Sequence, residues 1–371
     1  MQLARKTDHP LYFDAFLLFP VLILTGIGVV MVYSASSHIA AEKFGDSAYF
    51  LKKQVLFALV GIGLMILFRY LSYRLLRVMA YGILVAAIAL LGAVFVKGFG
   101  FSANGATRWL RLFGFSFQPS VLAEYALIIY LAYSLNKKQE KLDDFSIGLL
   151  PHVFVLGLFA VLILLQPDFG SVVVFGLVTG VMLFVGGTRV VHLLTSFIFL
   201  LPAAVYYMMK AEYRLSRLTS FLDPWRFQND GGYQIVHSFM AFGTGGIWGT
   251  GLGGGYQKLF YLPEPHTDFI FSVIGEELGL WGVSLVLGLF LALLWRGIII
   301  ARTSCDRFGS LLALGLTAAI SFQVFVNTGV AVGILPTKGI TLPFLSYGGT
   351  SLVFNLAAVG VIMNIGHKRH V

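Results

Sequence analysis

An all-α polytopic membrane protein with about ten transmembrane helices is the fold class this sequence predicts. Three observations carry the prediction. Hydrophobic residues make up 58% of the 371-residue chain and charged residues 12%, with a mean hydropathy of +0.85; soluble domains carry about twice that charged share. The apolar residues gather in runs of roughly 20, the length at which a helix crosses a bilayer. No run sustains the period-two alternation of a membrane β-barrel, so strands are not expected.

The elements follow in order, all read from the printed chain. The run 14–35 is too long for the apolar region of a cleaved leader, and no small-residue cleavage site follows it, so it reads as the first span. Runs 54–71 and 78–96 are the second and third. An outer loop containing "NGATRWLRL" (104–112) leads through "FQPS" (117–120) into the fourth, 118–135. Runs 145–165 and 170–187 are separated only by "QPDFG" (166–170), a tight polar turn. The seventh span is 190–209. A long segment, 210–267, precedes the eighth, 268–296; runs 309–333 and 345–366 complete the set. One integral membrane domain, 1–371, is expected.

Lys and Arg set the orientation. With the N-terminus inside, the inner segments hold twice as many as the short outer loops, counting Arg5, Lys6, Lys368 and Arg369, and basic residues favour the cytoplasmic side. Both termini are therefore cytoplasmic, and the large loop between helices 7 and 8 is extracytoplasmic. It is rich in aromatics, and long ordered loops are usually functional.

Several function classes are excluded. Cys305 is the one cysteine, so there is no internal disulfide. The glycine-rich "GTGGIWGTGLGGG" (243–255) follows no strand and lacks the GK[ST] ending of a phosphate loop. It reads as a turn-rich re-entrant or surface segment. His237 and His266 have no third ligand at metal spacing, and no Ser-His-Asp or Cys-His arrangement is suggested. Basic residues are spread among loops, so no nucleic acid partner is expected.

The segment "LPEPHTDFIFSVIGEELG" (262–279) places Glu264, His266, Asp268, Glu276 and Glu277 in or beside an apolar run. Charge there is costly and usually functional. Asp268 has two readings: the N-cap of a helix, or a working carboxylate. On an ideal helix Glu276 lies about 80° round and roughly 12 Å deeper, with Glu277 on the opposite face; Glu276 at that depth must be paired or protonated. Lys210, Arg214 and Arg217 share one face if their stretch is helical. They suit a diphosphate, or they snorkel from the end of the seventh span. Trp109, between Arg108 and Arg111, is either an interface anchor or a contact for a sugar and a phosphate. "LPTKGITLPFLSYGGTSL" (335–352) carries Lys338; irregular backbone at that depth must be buried or line a cavity. Segments 104–120, 210–268 and 335–350 thus converge on the outer face.

In order along nearly the whole chain, "YSASS", "NGATRWL…FQPS", "QPDFGS", "FLDPW…GGYQ", "LPEPHTDFIFSVIGEELG" and "GILPTKGITLPFLSYGGTSL" resemble the SEDS family (shape, elongation, division and sporulation) of peptidoglycan polymerases. The last two look more like its division branch, FtsW, and a sporulation relative than like the elongation branch, RodA. The resemblance implies a glycosyltransferase that polymerises lipid II at the outer face of the bacterial cytoplasmic membrane, at the division septum. Undecaprenyl diphosphate would be the leaving group. It implies a class B penicillin-binding protein transpeptidase as partner, with other division proteins. The family's essential Asp falls on Asp268, here assigned as general base, with room for a divalent cation (Mg or Mn) on it. Its Trp and Lys fall on Trp109 and Lys338. Arg214 and Arg217 are added from spacing, and Arg108, Gln118 and His266 as further substrate-binding candidates. Two rivals are a lipid-linked precursor flippase, which would need charge inside the spans, and a non-enzymatic division scaffold. Apart from Glu124, Asp168, Glu276 and Glu277 the spans are nearly free of charge.

One departure stands out. After "QPS" the family usually runs Glu, two apolar residues, then Lys; here Val121, Leu122, Ala123 and Glu124 stand there. A buried Glu124 needs a partner, and Lys338 or an arginine of 104–111 is expected within about 5 Å of it.

Overall fold

The computed structural model describes residues 14–96, 98–103, 106–112, 115–210 and 212–367. Arg5, Lys6, Lys368 and Arg369, which weigh in the orientation, lie outside them. Helices dominate: α1 (Ala15–Phe44), α2 (Tyr49–Tyr70), α3 (Arg74–Ala93), α4 (Pro119–Lys137), α5 (Leu150–Leu164), α6 (Phe169–Gly186), α7 (Val190–Met209), α8 (Glu212–Leu222), α9 (Tyr233–Gly245), α10 (Gln257–Phe260), α11 (Ile270–Thr303), α12 (Arg307–Ala331) and α13 (Gly349–His367).

Among the described residues, nine helices are long and apolar enough to cross a membrane. The fourth expected span, α4, carries Glu124, Tyr125, Tyr130 and Tyr133 and is more polar than these. It can be, because it packs between α3, α6 and α12 and is buried along most of its length; a helix walled by protein need not match the lipid. With α4 the bundle has the expected ten. By contrast, none of the described side chains of α7 is buried.

The connections sort into two ends. At one, Arg296 pairs with Asp14 at 2.7 Å, Tyr73 N donates to Asn364 Oδ1, and Arg307 donates to Gly186 O. These are the segments that the charge pattern assigns to the inside. At the other end lie the segments expected outside.

Two departures from expectation belong to that outer end. Three strands, β1 (Gly100–Ala103), β2 (Ala106–Leu112) and β3 (Phe115–Phe117), form a small antiparallel sheet in the order β1-β2-β3. Phe101 faces Trp109 across the first pair and Leu110 faces Phe117 across the second. The strands run for four, seven and three residues, too short to register as a periodic pattern. Second, the Lys210–Arg214–Arg217 stripe is not one helix: α7 stops at Met209 and α8 restarts at Glu212.

The long helix α11 is two helices merged across Gly279, which has φ 64°. The glycine-rich segment docks at this break. Gly249 and Gly279 stand so close that a β-carbon on either would strike the other segment's backbone. Leu280 N donates to Gly246 O, and Gly251 N donates to Glu277 O. Only glycine tolerates both the positive φ and the approach.

Candidate functional site

The residues before α11 are fixed by the irregular segment 335–348. Tyr347 N donates to His266 O at 2.8 Å, and Ser346 Oγ donates to Thr267 O at 2.5 Å. Asn327 Nδ2, from α12, bridges Asp268 O at 2.8 Å and Ile340 O at 2.7 Å. Phe269, not Asp268, occupies the N-cap of α11, and no side chain caps that helix. The cap reading of Asp268 is therefore set aside. Its carboxyl faces a cavity of about 810 Å³.

Spanning helices and outer loops share the walls of this cavity. Asp268, Trp109, Lys338, Arg108, Arg217 and Gln118 all line it. His266 does not: its ring packs 4.6 Å from Phe50 and 5.7 Å from Tyr347, behind the cavity wall. The side chain of Arg214 lies outside the described residues, and Lys210 ends α7 as an exposed residue away from the cavity lining.

The tight turn 166–170 organises two of the cations. Arg108 Nε donates to Gln166 O at 3.0 Å, and its Nη2 donates to Pro167 O. Lys338 Nζ stands 3.5 Å from Asp168 Oδ1 and 5.7 Å from the centre of the Phe169 ring. Its stem lies over Gly170, where any β-carbon would collide with it. Asp168, which the sequence reads as part of a tight polar turn, is the ion-pair partner of Lys338; the signal was an acid between two apolar spans.

Electrostatics separate the two aspartates. Burial, then the charge of Glu264, push the Asp268 carboxyl up to about 7, against the opposing pull of Arg217 and Arg108. For Asp168 burial acts upward, but Lys338, Arg108 and the Ser171 hydrogen bonds outweigh it and its value is lowered. Burial lowers Lys338 to about 8, with the Asp168 charge resisting. In Asp268 the site thus holds a carboxyl able to take a proton near neutral pH, with three cations able to meet an anion.

Glu124 corrects an expectation. It lines the same cavity with 7% of its surface exposed, but the expected cation is not its partner. Gln323 Nε2 donates to Glu124 Oε2 at 2.9 Å, while Lys338 is engaged by Asp168 and Arg108 by the 166–167 carbonyls. A neutral amide from α12 has replaced the expected charge. Glu276, by contrast, is paired as its depth required: it accepts from Tyr256 N at 2.8 Å and Gln257 N at 3.1 Å.

A cavity half-walled by spanning helices, with a carboxyl and three cations in its lining, marks out a polytopic membrane protein with an enclosed polar site. The chain belongs to the FtsW/RodA/SpoVE family of cell cycle proteins, whose sequence profile matches residues 15–371. It is 48% identical to the probable peptidoglycan glycosyltransferase FtsW of Geobacter sulfurreducens, over 96% of this chain and 95% of that one. It is 42% identical to stage V sporulation protein E of Bacillus subtilis, over 95% of this chain and 96% of that one. A chain from a structure on the coordination of polymerization and crosslinking by a peptidoglycan synthase complex superposes with a TM-score of 0.78 at 32% identity, covering 97% of this chain and 99% of that chain. The rod shape determining protein RodA of Thermus thermophilus gives 0.70 at 29% identity, with 97% and 99% covered.

Proposed function

We propose that this chain is a peptidoglycan glycosyltransferase that polymerises lipid II at the outer face of the bacterial cytoplasmic membrane, at the division septum, with a class B penicillin-binding protein transpeptidase as partner and other division proteins around it. The observation that carries the reading is the Asp268 carboxyl, held near 7 inside a cavity lined by Lys338, Arg108 and Arg217. A sugar hydroxyl of one substrate attacks the anomeric carbon of the other. The new glycosidic bond forms as the bond from that carbon to the diphosphate oxygen breaks. Asp268 takes the hydroxyl proton, and undecaprenyl diphosphate leaves with its negative charge met by the three cations. Trp109 and Gln118 line the same cavity, and in this reading they contact the reacting sugars.

A divalent cation fits only as a shared ligand. Among the described residues no three His, Cys, Asp or Glu side chains gather, but Glu264 lies close enough to raise Asp268. Those two carboxylates would hold the ion with substrate phosphates, and it would add positive charge at the leaving group.

The test is polymerisation of purified lipid II by the protein with its transpeptidase partner, comparing wild type with Asp268→Asn at matched assembly. Chains from wild type and none from the variant are expected. Equal chains from both would remove Asp268 from the chemistry; none from either, with the complex intact, would favour a flippase or a scaffold.

A further inference from the structure

Beside the first cavity the outer face has a second hollow, of about 610 Å³. Arg217, Gln234, Pro263 and Thr337 line both, so the two compartments share a wall. They differ in what else surrounds them. The first reaches down between spanning helices, to Val121 and Glu124 of α4 and Val174 and Phe175 of α6. The second is lined by no residue of a spanning helix; its remaining walls come mainly from the extracytoplasmic stretch 216–234. A lipid tail has no place there, whereas a water-soluble polymer does.

The lining chemistry points the same way. Asn229 and Gln234 present amides, Asp230 a carboxylate, and Phe227 and Tyr233 aromatic rings. Planar polar groups beside aromatic faces suit rings that bear hydroxyls on their edges and C–H bonds on their faces. The wall is also preformed. Asp230 N and Gly232 N both donate to Phe227 O, and Tyr233 N donates to Asp230 O. A β-carbon on Gly231 would fall 2.5 Å from Ser220 Oγ, and one on Gly232 would strike Pro224 O, so the turn is tightly packed against α8 and its extension.

We infer that the hollow lined by Asn229, Asp230 and Tyr233 is a saccharide subsite, holding sugar units of the glycan just beyond the bond being made while the first cavity holds the lipid diphosphate end. The assignment deepens the glycosyltransferase reading and rests on it for the identity of the sugar. In this reading the reacting bond lies in the first cavity, which Asp268 lines, and the sugars beyond it cross the wall shared at Arg217, Gln234, Pro263 and Thr337.

The experiment uses the full chain with its transpeptidase partner and the variants Asn229→Trp and Asn229→Ala. Two readouts are taken: the length distribution of glycan made from lipid II, and binding of a soluble, lipid-free tetrasaccharide of alternating N-acetylglucosamine and N-acetylmuramic acid. Wild type is expected to bind the tetrasaccharide. Filling the hollow with Trp weakens binding about tenfold or more, the effect of losing one or two good hydrogen bonds. Mean chain length then falls by a larger factor than lipid II consumption. Asn229→Ala, which cannot block the fold, gives the same effects at smaller size. No tetrasaccharide binding by wild type, or binding and chain length indifferent to both variants, overturns the subsite. Should wild type make no polymer yet bind the tetrasaccharide in an Asn229-dependent way, the polymerase reading fails and the saccharide site stands.

Discussion

Asp268 and the Glu276–Glu277 pair belong to one short stretch, and their surroundings differ completely. Glu277 is enclosed by Lys258 and Ser34, each donating to its carboxylate, and by Gly253 N at 3.1 Å. Glu276 receives the backbone N–H groups at the start of α10. The donors come from three separate elements, so these carboxylates tie the glycine-rich segment, α10 and α1 to α11. Asp268 is fixed by its backbone, while its carboxyl faces a cavity and is pushed up to about 7 by burial and then by the charge of Glu264. A buried acid whose lone pairs are filled by its own protein holds structure together. One held by its backbone, with its carboxyl turned to a cavity, is available for chemistry.

The sharpest way to break that comparison is to remove each charge in turn. Asp268→Asn should abolish polymerisation, a loss of about 10²- to 10⁴-fold for a general base, with the detergent-phase unfolding midpoint unchanged. Glu277→Ala should act in the opposite manner. It strands Lys258, whose side chain is 6% exposed, and breaking a buried pair costs about 3–5 kcal/mol. Its unfolding midpoint should drop while activity per folded molecule persists. If Glu277→Ala loses activity at full stability, the division between fastening and reacting carboxylates is wrong.

The pH profile sharpens the same contrast with a smaller effect. Asp268 must be deprotonated to act, so the rate should rise as pH passes about 7. Lys338 must be charged, so the rate should fall as pH passes about 8. Lys338→Arg keeps the cation at all accessible pH. It should remove the falling limb of kcat/KM and leave the rising one, with some loss of rate because guanidinium must crowd over Gly170. A falling limb that survives the substitution would assign it to another group.

The spans and the place of Asp268 in the cavity lining were legible because both depend on local sequence: run length sets a span, and an acid in an apolar run advertises itself. What was not legible is pairing at a distance. Nothing in "QPDFG" says that Asp168 will meet Lys338 or that Gly170 clears space for its stem. The spacing of Lys210, Arg214 and Arg217 gives no notice of the break between α7 and α8, which sends Arg217 to the cavity and leaves Lys210 exposed. The small sheet around Trp109 escaped for a different reason, since its strands are shorter than any periodic signal.

Glu124 is the instructive case. The family pattern led to an expected cation, and the fold supplied an amide from a helix far along the chain. Gln323 gives one hydrogen bond to Glu124 Oε2, while Glu124 Oε1 and Gln323 Oε1 are buried with no hydrogen-bond partner. Glu124→Gln keeps the acceptor that Gln323 uses and adds an N–H that can reach Gln323 Oε1. The change should alter stability by no more than about 1 kcal/mol, the net scale of a single hydrogen bond, and leave polymerisation close to wild type. Glu124 then behaves like Glu277 in location but not in weight: buried, yet without an ion pair to lose. Unfolding midpoints of Glu124→Gln and wild type, read beside lipid II turnover, check this. A large loss of turnover at unchanged stability would show that the carboxylate charge at the cavity wall, and not its hydrogen bond to α12, is what the site requires.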